Sequence, residues 1–150
     1  MEGVKLESKA AIQIAKTPAE VFEAIVDPVH MVNYFIADSS GHIRDGARLT
    51  WHFPETDVDV PVLVEQVTDH QFISFYWGEE GNETLVEISL EPLGGTTIVR
   101  ISEKYMENTP EGIDWLRGNT EGWAYFLAFL KAYLEHGINL RKGAFAWRFQ

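Results

Sequence analysis

Residues 110–136 hold the feature that most constrains this chain. After Pro110 no proline recurs, and Gly137 ends the segment. Leu116, Trp123, Leu127, Leu130 and Leu134 recur at intervals of three, four and seven, so they share one face of a helix. Phe126, Phe129 and Tyr133 widen that face. Such a helix extends about 40 Å at roughly 1.5 Å per residue, enough to cross a small domain. Its apolar face must be covered, and most of the remaining chain reads as strands. Gly118-Asn119 and Gly122 are its weak point. Each interior glycine costs about 1 kcal/mol relative to alanine, and Asn119 is competent to cap a restarted helix.

The covering elements follow from periodicity. Residues 4–16 alternate, with Val4, Leu6, Ser8, Ala10, Ile12 and Ile14 on one side, and predict a half-buried strand. Thr17-Pro18-Ala19-Glu20 predicts a helix start, with Thr17 as cap, Pro18 at the first position and Glu20 closing a capping box. Asp27-Pro28 ends that helix, because the residue before proline is pushed out of the helical region. A second short helix is expected over about 29–36. Strands are then expected at 39–43, Ala47–Phe53, Val58–Val67, Phe72–Trp77, Thr84–Leu90 and Thr97–Tyr105, joined by Gly- and Asp-rich turns. Pro61 cannot donate to a ladder, so its strand is expected at an edge or bulged there. Beyond Gly137, Phe145, Trp147 and Phe149 alternate, which reads as an added strand or a docking arm. It would complete an edge in its own subunit or reach a second copy in a homodimer.

Composition removes several function classes. The net charge of −11 argues against nucleic acid and anionic membranes, which require clustered Lys and Arg. No stretch approaches the roughly 18 apolar residues of a membrane span, and the N-terminus Met1-Glu2-Gly3-Val4-Lys5-Leu6 has no signal-peptide core, so a cytoplasmic location is expected. There are no cysteines, hence no disulfide or thiolate site. His30, His42, His52, His70 and His136 show no metal spacing, and no cofactor motif is present. Glu55, Asp57 and Asp59 alternate, but a calcium loop lacks its glycine and final glutamate here. The five Trp, nine Phe and five Tyr can build either a solid core or the walls of an apolar cavity.

Four segments carry a family likeness. They are Thr17-Pro18-Ala19-Glu20-Val21-Phe22 through Asp27-Pro28, Ile73-Ser74-Phe75-Tyr76-Trp77, Val86 through Pro92 followed by Gly94-Gly95-Thr96, and Gly122-Trp123 with Leu127, Leu130 and Leu134. Together they resemble the START-like (SRPBCC) helix-grip superfamily, and within it the homologues of the activator of Hsp90 ATPase. The aromatic tail after Gly137 is outside the common pattern. The resemblance implies an α+β helix-grip fold as one domain over residues 1–150. In it an antiparallel β-sheet curves around a long C-terminal α-helix, with two short helices between the first and second strands. Members include lipid and hormone carriers, polyketide cyclases and a cochaperone domain.

In that arrangement the inward strand positions Trp51, Val62, Val64, Gln66, Phe75 and Trp77 face the helix, as do Ile88, Val99 and Ile101. With Trp123, Phe126 and Leu130 they either line a ligand cavity or fill it. Glu103 shares the inward face of Val99 and Ile101 and, if buried, must be paired or protonated. It is then a candidate ligand anchor, or the acid/base of a cyclase- or hydrolase-like enzyme; a one-residue slip would leave it solvated. His52 and Tyr105 are further candidate polar contacts. The readings are a carrier of a small apolar or amphipathic molecule (lipid, sterol or polyketide-like), an enzyme using Glu103, and an interaction module with a chaperone partner.

Overall fold

The computed structural model describes residues 3–149. Met1 and Glu2 lie outside the described residues, as does the Phe149 side chain of the alternating tail. The elements are β1 (Leu6–Ile14), α1 (Pro18–Val26), α2 (Pro28–Met31), β2 (Asp38–Ser39), β3 (Arg48–His52), β4 (Asp59–Thr68), β5 (Phe72–Trp77), β6 (Thr84–Leu93), β7 (Thr96–Met106) and α3 (Pro110–His136). The seven strands form one antiparallel sheet in the order β1-β7-β6-β5-β4-β3-β2. This is the helix-grip arrangement, with the short helices between β1 and β2 and the long helix last.

Local chemistry sets the ends of the helices. Thr17 caps α1 in a capping box with Glu20. Asp27 closes α1 and caps α2, its carboxylate accepting from Val29 N–H at 2.9 Å. Thr109 caps α3, and Gly137 ends it in the left-handed region at φ 66°. The helix α3 lies along β1 and runs parallel to it. Ser8 meets Thr120, Lys131 donates to the Gln13 carbonyl, and Ala15 N–H donates to Glu135, each at 2.8 Å. The spacing is self-consistent. Seven residues of strand from Ser8 to Ala15 cover about 23 Å, and fifteen residues of helix from Thr120 to Glu135 cover about 22 Å.

Several elements depart from the periodicity. The second helix is only Pro28–Met31. Its last carbonyl, on Met31, is shared by the N–H groups of Tyr34, Phe35 and Ile36, a tight wrap that turns those three side chains into the core. The second strand is two residues rather than five. Pro61 lies in an interior strand, not at an edge; the β5 ladder begins only at Val62, so Pro61 is paired on its β3 side alone. The bulge falls at 65 instead, between Val64 and Gln66. That extra residue turns Gln66 out to solvent and brings Val67 against the core. A second irregularity at the Leu6/Glu7 register frees Tyr105, which takes φ 84° and is 50% exposed instead of sharing the inward face.

The long helix does not break at Asn119. The Asn119 side chain instead points to the sheet, where its Nδ2 donates to a buried carboxylate. The described residues of the tail form no strand. The tail reverses after Gly137 and ends in a 3₁₀ turn over Ala146–Phe149, with Phe145 packed against Tyr125 and Phe129 of its own helix.

Gly112, in the first turn of α3, is required by a close approach. A Cβ there would lie 1.9 Å from the Glu107 carbonyl oxygen. Gly112→Ala is therefore expected to destabilise by about 3 kcal/mol, despite alanine's better helix propensity. Urea denaturation checks this; an unchanged or raised midpoint would show that the 107–109 loop can shift at little cost.

Candidate functional site

The inward face of β7 carries Val99, Ile101 and Glu103, and Glu103 is 1% exposed. Four side chains reach it. Trp77 Nε1, from β5, donates to Oε2 at 2.8 Å, and the Thr84 hydroxyl, from β6, binds the same oxygen. Asn119 Nδ2 and Trp123 Nε1, one turn apart on α3, donate to Oε1 at 2.8 Å each. A carboxylate offers about four lone-pair sites, and here each oxygen receives two donors. The partners are neutral; among the described residues no Lys, Arg or His hydrogen-bonds to Glu103. The burial cost of the charge is met by oriented donors instead of a counter-ion. With these acceptor sites occupied, a ligand anchored on Glu103, or acid/base chemistry there, would have to displace one of the four donors. The arrangement ties three strands to the middle of α3.

The rest of the expected lining packs on itself. Trp51, Val62, Val64, Phe75, Ile88, Val99 and Ile101 from the sheet, and Trp123, Phe126 and Leu130 from α3, are each at most 4% exposed. The space between sheet and helix is filled from the α2 side, where the Phe35 ring lies 4.7 Å from Phe126 and 5.4 Å from Trp51. Tyr34 is buried beside them with its hydroxyl donating to the Ala24 carbonyl at 2.6 Å, and burial holds its phenol well above the usual range. The indole N–H of Trp51 is buried without a partner among the described residues, beside Phe35 and Trp77. An unpaired buried donor costs about 1–3 kcal/mol.

Open space remains at the rim, on both sides of Trp77 and Asn119. One side is a slot of about 230 Å³ between the rings of Phe35, Phe53, Trp77 and Trp123 and the helix residues Gly118 and Gly122, with Arg141 from the tail at its edge. Gly118 and Gly122 are exposed at the mouth of the slot, and a Cβ added at either would meet nothing within 4 Å. The other side is a cleft of about 570 Å³ beside the start of α3, with Trp115 and Met106 on its walls and Glu79, Glu107 and Glu111 around it.

The remaining candidates lie elsewhere. Gln66 and Tyr105 point to solvent. His52 faces away from Trp51 and sits between Asp38 (2.6 Å to Nδ1) and Asp59, at the β2 end of the sheet; hydrogen bonds to both carboxylates hold its pKa above the ordinary value. Glu55 pairs with Arg141, so it and Asp59 serve different partners. Sequence reasoning missed Phe35, Phe53, Gly118, Asn119, Gly122 and Arg141. The available signal was the pair Gly118 and Gly122, four residues apart on one helical face, read above only as a weakness.

The sequence model described as activator of Hsp90 ATPase homolog 1-like protein matches residues 15–135. No curated protein matches the chain in sequence. Among solved structures, a protein of Staphylococcus saprophyticus is 32% identical with a TM-score of 0.80, covering 91% of this chain and 96% of that one. A putative protein of the dynemicin biosynthetic locus is similar in fold at 22% identity and a TM-score of 0.79, covering 89% of this chain and 48% of that one. The Aha1 of Colwellia psychrerythraea, solved as a dimer, is similar at 20% identity and a TM-score of 0.76, covering 88% of this chain and 98% of that one. No helix among the described residues is long and apolar enough to cross a membrane.

Replacing Glu103 by Gln puts an NH₂ group where two donors already point. The expected cost is about 3 kcal/mol, read as a lower urea midpoint with unchanged slope. Trp123→Phe, which removes one donor and keeps a ring, is expected to cost less than half as much. Equal stability of Glu103→Gln and the parent would contradict the four-donor assignment.

Proposed function

The chain belongs to the activator of Hsp90 ATPase homolog 1-like family, and on that premise we propose that it binds a small, flat, largely apolar molecule in the rim slot between sheet and helix. The observation carrying this reading is the Gly118/Gly122 pair. A helix that tolerates two interior glycines gives up about 1 kcal/mol at each, and here neither is needed for backbone conformation or close packing, since neither has positive φ nor a neighbour at its Cβ. Both sit at the mouth of a space walled by four aromatic rings. Flat walls favour a flat ligand; a polyketide-like or other polycyclic body suits them better than a flexible acyl chain.

Magnitudes limit the affinity. Burying about 200 Å² of apolar ligand surface yields about 5 kcal/mol before association costs, equivalent on its own to about 0.2 mM, so the apolar contact by itself gives dissociation constants in the millimolar range or weaker. Deeper entry past Phe35 and Trp77 would bring a ligand acceptor to the unpaired Trp51 N–H and add to this. In the present reading Glu103 holds the slot's walls in place and does no chemistry.

A second reading, a surface module with a chaperone or second-copy partner, draws on one observation. The tail leaves Trp147 70%, Ile138 49% and Leu140 46% exposed. In that case changes inside the slot leave partner binding unaffected.

The slot reading makes Gly118→Ala and Gly122→Ala opposite in their two effects. Each is expected to stabilise the fold by up to about 1 kcal/mol. Each is also expected to weaken binding of indane, a bicyclic apolar probe, by roughly tenfold, since a methyl group removes ligand volume. Chemical denaturation and calorimetric titration measure the two. Raised stability with unchanged indane affinity would remove the slot as the binding site.

A further inference from the structure

The tail beyond Gly137 falls outside residues 15–135, the span that matches the family. Yet it contributes Arg141 to the slot. The Arg141 guanidinium lies 5.5 Å from the centre of the Phe53 ring and 5.1 Å from that of Phe145. It is also held by Glu55, with Nε to Oε2 at 3.2 Å and Nη2 to Oε1 at 2.7 Å. Both side chains are shielded, at 16% and 11% exposure. A guanidinium carries five N–H donors in a fixed fork. Glu55 takes two of them, and no acceptor among the described residues is bonded to the other three.

The charge balance decides what those donors can recognise. Glu55 neutralises Arg141 locally, and the whole chain carries −11. A carboxylate or phosphate entering the slot would find the Arg141 charge already neutralised by Glu55, and an unfavourable long-range potential. A neutral oxygen acceptor meets neither penalty and still receives a hydrogen bond from a charged donor, the stronger kind. Resting on the slot reading above, we infer that Arg141 determines ligand specificity, and that it selects flat apolar molecules bearing a neutral carbonyl or ether oxygen over both the bare hydrocarbon and the carboxylate.

The test compares three probes of one skeleton by calorimetry: indane, 1-indanone and indane-1-carboxylate. The parent protein is expected to bind 1-indanone roughly tenfold more tightly than indane, with the carboxylate weakest. Arg141→Leu is expected to abolish the preference, so that the variant binds 1-indanone no more tightly than it binds indane. Arg141→Lys, which retains the charge and the contact to Glu55 without the fork, is expected to lose most of the preference, and it serves should the leucine variant not fold. Glu55→Gln unmasks the positive charge and is expected to raise the affinity for the carboxylate several-fold. If indane binds but the ketone preference is absent, or survives both Arg141 substitutions, the specificity role is overturned and the slot reading stands. If none of the three binds, the slot reading falls and the specificity role with it.

Discussion

Four hydrogen bonds converge on one buried carboxylate, and the arrangement of this fold depends on them. Glu103 brings a charge into the space between sheet and helix, where water cannot solvate it. It stays there because Trp77, Thr84, Asn119 and Trp123 supply fixed donors from β5, β6 and α3. Apolar contacts alone would allow the helix to slide along the sheet by small steps at little cost. Two donors on consecutive helical turns, both aimed at the same oxygen, allow one register. The side chain thus acts as a peg, and the slot beside it has fixed walls because two of its rings, Trp77 and Trp123, are held by their indole nitrogens.

The same interaction explains where the open space lies. Behind the peg the aromatic side chains of the turn after α2 fill the interior, and Phe35 and Tyr34 leave little room between sheet and helix. In front of it the helix presents Gly118 and Gly122, and space survives. Opposing features of one helix therefore have opposing reasons. Gly112 is demanded by a backbone oxygen that a Cβ would strike, whereas the later pair is spared any contact.

Much of this was legible in the residues. The long helix, its capped neighbours and the inward alternation of β5, β6 and β7 follow from period and turn chemistry; Trp51 and Phe75 are buried as alternation requires, and Trp123 and Phe126 as the helical period requires. Glu103 could be placed inward by the same rule, but its partners could not, since two of them come from a helix whose register against the sheet is a tertiary fact. Gln66 and Tyr105 were assigned to the wrong side for one reason: a single extra residue in a strand inverts every later side chain, and nothing in Val64-Glu65-Gln66 or Lys104-Tyr105-Met106 marks the insertion. The tail misled differently. Phe145, Trp147 and Phe149 alternate as a strand would, yet the chain has a ready aromatic surface in Tyr125 and Phe129 on which Phe145 docks.

The five tryptophans report on separate regions: Trp51 in the core, Trp77 and Trp123 at the slot, Trp115 at the cleft and Trp147 on the exposed tail. The most direct measurement is a ¹H–¹⁵N NMR titration that follows their indole N–H signals as 1-indanone is added. A ligand in the slot shifts Trp77 and Trp123 together, in one saturable curve, and leaves Trp147 where it was. Shifts confined to Trp147 or Trp115, with Trp77 and Trp123 unmoved, would place the ligand elsewhere and contradict the account.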